Sequence, residues 1–234
     1  MTPVLLIAAN FVRENRWPLI TLLAYVLAFG GAVAFVTDAS LEDTLFLLRS
    51  VGVYGLAFTG LLAASAINNE RRSRRILAVL SKGIERSQYL AGLLAGVMLD
   101  AVIYTAAIGG VGTFALVRHG QSPERLWQML GILLPAFLLA ATAALFFSTF
   151  LHPLMAAAAA AITLATMGAV GRMLGAPWSQ LLPVYTLADA MVSFGLPGWR
   201  APWMAAGWAV VHAVIFTMLA TIVFSRRDIA VAVE

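Results

Sequence analysis

At 234 residues the chain has the length of one or two soluble domains, yet 62% of it is hydrophobic and only 11% charged, with a mean hydropathy of +0.91. Soluble domains are about half apolar and about a quarter charged, so the composition excludes one and makes lipid the solvent for most of the surface. The formal charge of +4 is small and scattered, which argues against a nucleic-acid partner, and the lack of cysteine excludes disulfides, thiolate metal sites and a cysteine nucleophile.

Residues 1–16 open the chain. Val4, Ile7, Ala8 and Phe11 share one helical stripe, with Ala9, Arg13 and Arg16 opposite. An interfacial helix lying along the inner leaflet has this pattern; the alternative is an extended cytoplasmic end of the first span. A cleaved signal peptide carries its charges ahead of its apolar stretch, whereas Arg13 and Arg16 follow theirs, as in a signal-anchor with a cytoplasmic amino terminus. Trp17 and Pro18 supply an interfacial anchor and a break before the first span.

A membrane helix needs roughly 20 predominantly apolar residues. Runs of that kind predict six spans, over 17–37, 50–69, 87–117, 126–151, 153–171 and 201–225, with only Asp100 interrupting the third. His152 and Pro153 divide what would otherwise be one run of about 45 residues, too long for a single crossing. The expected fold is therefore all-α and integral to the membrane, one transmembrane domain over residues 1–234.

An even number of spans puts both termini on one side, and basic residues choose the side. With the amino terminus in the cytoplasm, the inner set is Arg13, Arg16, Arg71, Arg72, Arg74, Arg75, Lys82, Arg86, Arg226 and Arg227, ten of the fifteen. The outer set, Arg49, Arg118, Arg125, Arg172 and Arg200, is offset by Asp38, Glu42, Asp43, Glu124 and Asp189. This predicts a multi-pass protein of the inner (plasma) membrane with both ends cytoplasmic.

The loop 70–88 holds the densest charge cluster. Inside it Ile76, Leu77, Val79 and Leu80 form an apolar patch. A topology anchor needs only the charge, whereas a helix that docks in a partner's groove needs the patch as well. Further along, Asp100 lies 11 residues beyond Tyr89, near the bilayer centre. A carboxylate there costs roughly 3 kcal/mol, which makes Asp100 either a lock between helices or a pathway and gating residue. Gly92 and Gly96 on the same span form a close-packing pattern, and the run Ala156–Ala161 permits close helix approach.

Residues 173–200 are too apolar for an ordinary external loop. Pro177, Pro183 and Pro197 break the segment, while Val184, Leu187, Ala188, Met191 and Val192 follow helical spacing. Two short re-entrant helices are expected, with Leu187 and Met191 facing a pathway and Asp189 and Arg200 outside. Non-helical backbone at membrane depth is tolerated only against protein or a water-filled cavity.

Enzyme motifs are absent around His119, His152 and His212: there is no H-E-x-x-H, G-x-S-x-G or Cys/His cluster. Lys82, the only lysine, is flanked by Ser81 and Gly83, so it cannot serve a P-loop, which needs glycine before the lysine and Ser or Thr after it. If ATP drives this protein, another chain binds it.

These parts, in this order, resemble the permeases of ABC-2 type transporters. Glu70, Arg71-Arg72, Leu77 to Leu80, the stretch Lys82-Gly83-Ile84-Glu85-Arg86, Tyr89-Leu90 and Gly92 stand where that family has its motif after the second span, and Phe224 to Asp228 look like its carboxyl end. Gly83 replaces the family's usual proline, and Leu93 the lysine after the glycine. The resemblance implies a cytoplasmic coupling helix in loop 70–88, carried by Glu70, Arg72, Arg75, Ile76, Leu77, Leu80 and Arg86. It also implies extracytoplasmic re-entrant helices, a pathway enclosed with a second or related permease copy, and a separate ABC ATPase subunit that holds the ATP and Mg; no cofactor is implied in this chain. The alternatives are a membrane enzyme pairing Asp100 with a histidine, and an assembly or scaffold protein that uses the basic loop for anionic lipid.

Overall fold

The structure is a computed structural model that describes residues 3–35, 40–72 and 84–226. Among these, nine helices and no strand occur: α1 (Pro3–Glu14), α2 (Arg16–Phe35), α3 (Leu41–Arg72), α4 (Arg86–Arg118), α5 (Glu124–Ser148), α6 (Pro153–Leu174), α7 (Trp178–Leu181), α8 (Val184–Val192) and α9 (Trp203–Arg226). Five of them, α3, α4, α5, α6 and α9, are long and apolar enough to cross a membrane. α2 covers 20 residues, Arg16–Phe35, most of the span expected at 17–37. At 32 residues α3 is much longer than the apolar run 50–69 inside it. Its first turn is fixed by Ser40 and Asp43, whose side chains bond reciprocally: the Asp43 backbone N–H donates to the Ser40 hydroxyl, and the Ser40 N–H to the Asp43 carboxylate. Such a box satisfies donors that a helix start otherwise leaves open.

α5 is the central helix and the most fully buried of the five, packing against α3, α4, α6, α8 and α9. The outer helices bury small residues and expose large ones. On α9, Ala205, Ala206, Ala209, Ala213 and Ala220 are buried, while Met204, Val211, Ile215, Met218 and Ile222 are exposed. Lipid tails are as apolar as leucine, so a membrane helix gains most by turning its small residues toward its neighbours and bringing backbones close. Within the alanine run of α6, the two buried positions are Ala156 and Ala160, one turn apart.

The interior divides into two apolar clusters. One gathers Val51, Tyr104, Ile108, Phe137, Leu187 and Met191 toward the end where α8 lies. The other gathers Phe11, Ile67, Tyr89, Leu93, Leu145 and Phe224 at the opposite end, where α4 begins and α9 finishes. These are called the α8 end and the basic end below. Buried polar residues stand near the division: Thr59 on α3, Asp100 on α4 and Thr142 on α5.

The amino-terminal helix α1 forms over Pro3–Glu14. Its apolar stripe is turned onto protein: Ala8 and Phe11 are buried, and α1 lies along α4. Glycines make the approach possible, because a Cβ on Gly92 would come within 2.7 Å of the Ile7 side chain and one on Gly96 within 2.8 Å of Phe11. Arg13 and Arg16 stay exposed, as does the Leu5–Leu6 pair.

Candidate functional site

Two places concentrate polar and structural detail. The first is a clamp at the basic end. Arg86, at the start of α4, donates to the backbone carbonyls of Phe224 and Ser225 at 3.0 Å each, tying α4 to the last turn of α9. One turn on, the Tyr89 ring stacks on Phe224 with centroids 6.3 Å apart, and its hydroxyl end reaches Glu70 at the end of α3. The ends of α3, α4 and α9 are thereby joined, and α1 is pressed onto α4 two turns above Arg86.

Of the residues expected to meet a partner, only some fall in the described part. Glu70 is 7% exposed and Arg86 half-buried, so both belong to the base on which the loop is mounted and not to its outer surface. Their polar groups are engaged within the chain, beside Tyr89 for Glu70 and on the α9 carbonyls for Arg86. The side chain of Arg72, and Arg75, Ile76, Leu77 and Leu80, lie outside the described residues.

The second place is the α8 end. The segment after α6 folds into the short helices α7 and α8. Thr186 donates to the Ser179 carbonyl at 2.6 Å, which folds α8 back on α7. Arg49 of α3 donates from Nε to the Phe194 carbonyl at 2.8 Å, with a second bond from Nη2 to the same oxygen. The Trp199 indole donates to the Ala190 carbonyl at 2.8 Å and packs edge-on against Phe194. These bonds latch the segment to the bundle. Arg49 read from sequence only as an external charge, since nothing local to it signals a partner 145 residues away.

Leu187 and Met191 are buried in the chain's own core, and they line an apolar cavity of about 220 Å3. Its walls include Val53 and Leu56 of α3, Leu139 of α5 and Leu164 of α6. Asp189 and Arg200 are exposed. Asp100 stands apart from this cavity. It is 1% exposed on α4, a helix that α8 does not pack against, and neither carboxylate oxygen has a hydrogen-bond partner among the described residues. The buried threonines Thr59 and Thr142 spend their hydroxyl protons on their own helices, Thr59 on the Gly55 carbonyl and Thr142 on those of Leu138 and Leu139. The three residues read as a pathway are therefore not brought together: Asp100 is enclosed by its own helices, and Leu187 and Met191 line a separate space.

The histidines are likewise dispersed. His119 contacts the Thr44 hydroxyl at 3.2 Å, His212 the Trp208 carbonyl at 2.8 Å, and His152 is exposed at the start of α6. Among the described residues no cluster of three metal-ligating side chains occurs.

Comparison with protein-family models and with characterised proteins returned no match. What the fold itself defines is a class: a helical protein with the spans of a multi-pass membrane protein.

Proposed function

We propose that this chain is the permease subunit of an ABC-2 type exporter, working with a separate ATPase subunit that holds ATP and Mg. The observation that carries this reading is the clamp at the basic end. Loop 70–88, with its apolar patch of Ile76, Leu77 and Leu80 among arginines, springs from Glu70 and returns at Arg86. Both anchor points are tied into α3, α4 and α9. A partner that pushed on such a loop would move three helices together, whereas a loop on frayed ends would absorb the push. A plain topology anchor requires no such bracing.

On this reading two copies, or one copy with a related permease, enclose the pathway in the plasma membrane, and ATP-driven closure of the ATPases rocks the spans. The cytoplasm holds both termini, following the ten-to-five basic bias. Cysteines introduced singly at Ser40 and Ser122 react with an impermeant thiol reagent from outside, and one at Ser73 does not; external labelling of Ser73 overturns the orientation. The decisive experiment is affinity purification of the full chain from its native membrane with mild detergent. Recovery of a nucleotide-binding chain, lost in Leu80→Asp, supports the permease, and recovery with lipid alone favours the scaffold.

A further inference from the structure

We propose that the α8 end carries a binding site for an anionic lipid, with one acyl chain in the cavity under α8 and the charged headgroup at Arg172. This goes beyond the permease reading and requires only that the chain sits in a bilayer.

Two adjoining cavities make the site. The inner one, about 220 Å3, is lined by apolar side chains alone, among them Leu56, Leu139, Leu164 and Met191. An apolar cavity of about 150 Å3 stays dry and takes up benzene, so this one is suited to a hydrocarbon segment and offers water no partner. The outer one, about 640 Å3, is lined by Ala165, Gly168, Arg172, Met173 and Tyr185. Val184 and Ala188 of α8 line both, so the two spaces meet along that helix.

Chemistry changes along the wall of α6. Leu164 faces the inner cavity, while Ala165, Gly168 and Arg172 follow toward the helix end. Eight residues separate Leu164 from Arg172, which is about 12 Å of helix rise. Arg172 is exposed, and its guanidinium lies 5.8 Å from the centre of the Tyr185 ring, which holds it beside the outer cavity. Glycine keeps the outer wall thin, since a Cβ at Gly168 would come within 3.3 Å of Val184. Asp189, the next exposed charge on α8, is not among the residues lining either cavity. A single cation above an apolar slot is complementary to a lipid with an anionic headgroup. Exposed Met173 lines the outer cavity, and exposed Leu174 and Trp178 follow it in the chain, as suits residues at the level of lipid headgroups.

The test is photolabelling of the purified full chain in nanodiscs. Phosphatidylglycerol and phosphatidylcholine, each with a diazirine in the acyl chain, are compared and the labelled peptides mapped by mass spectrometry. The expected result is labelling of α5 and α8 at the inner cavity, with phosphatidylglycerol favoured about tenfold, the scale of one charge-assisted hydrogen bond. Arg172→Gln abolishes the headgroup preference and keeps the labelled positions. Ala188→Phe, at an exposed position that a larger side chain fills without entering the packed core, removes cavity labelling of both lipids. Its labelling at lipid-facing Leu154 and Ile162 stays as in the wild type, which reports an intact fold. Equal labelling by the two lipids in the wild type overturns the headgroup assignment. A cavity that stays unlabelled, because a second copy of the chain covers it, or labelling that survives Ala188→Phe, overturns the site. Should Ala188→Phe fail to fold, the wild-type and Arg172→Gln arms still decide.

Discussion

The two ends of the bundle are built on opposite terms. At the basic end three helix termini converge, and the Arg86 bonds to α9 with the contacts of Tyr89 on Phe224 and Glu70 leave little room for independent motion. At the α8 end two short helices lie over unfilled space, held by Arg49, Thr186 and Trp199. Packed interiors transmit displacement because they deform little, while elements over a void give way locally. On the permease reading proposed above, the contrast would put force transmission at one end and accommodation at the other.

The largest effect is expected at the mounted loop. Burial of an apolar side chain such as Leu80 in a partner groove contributes about 1.5–3 kcal/mol, so Leu80→Asp lowers partner affinity about tenfold to a hundredfold. Transport falls with it, while membrane insertion persists. Partner affinity measured on the purified chain checks this, and an unchanged value breaks the coupling assignment.

Next comes the base itself. Arg86→Ala removes two bonds from a charged donor, a loss of about 1.5–3 kcal/mol, read as a lower midpoint in thermal unfolding in detergent. Gly96→Leu drives a side chain into Phe11 and costs about 1–3 kcal/mol by overpacking. It should also free α1, which limited proteolysis near residue 15 detects. Loss of transport in Gly96→Leu with α1 still protected would separate α1 from the clamp.

The α8 end should be more forgiving. Arg49→Gln keeps a donor for the Phe194 carbonyl and loses the charge, costing about 1 kcal/mol. Cysteine accessibility at Ser193 should rise without any change in partner binding. If Arg49→Gln instead matches Arg86→Ala in unfolding, the two ends are equally rigid and the contrast fails. Smallest of all, Arg75→Gln removes an exposed charge worth about 1 kcal/mol or less and should leave partner affinity within a few-fold of the wild type.

The sequence by itself determined where the long helices run. Apolar runs and their breaks reflect hydration alone, and a chain that cannot expose such runs to water must fold them as membrane helices. His152 and Pro153 separated α5 from α6, and the prolines of 173–200 marked the short helices, because proline lacks a donor and is disfavoured past the first turn of a helix, Pro135 within α5 being the exception. Which side of each helix faces inward was decided only by tertiary structure. In lipid both the buried and the exposed faces are apolar, so periodicity does not tell them apart; α9 shows this, with alanine inside and Met218 and Ile222 outside. The same loss of signal hid the turn of α1 onto Gly92 and Gly96, the burial of Glu70 and the enclosure of Leu187 and Met191. Each depends on the close approach of residues from different helices, and Arg49 meets Phe194 only after the bundle has formed. Complementary surfaces on separate segments leave no local pattern in a single sequence, and packing alone brings them into register.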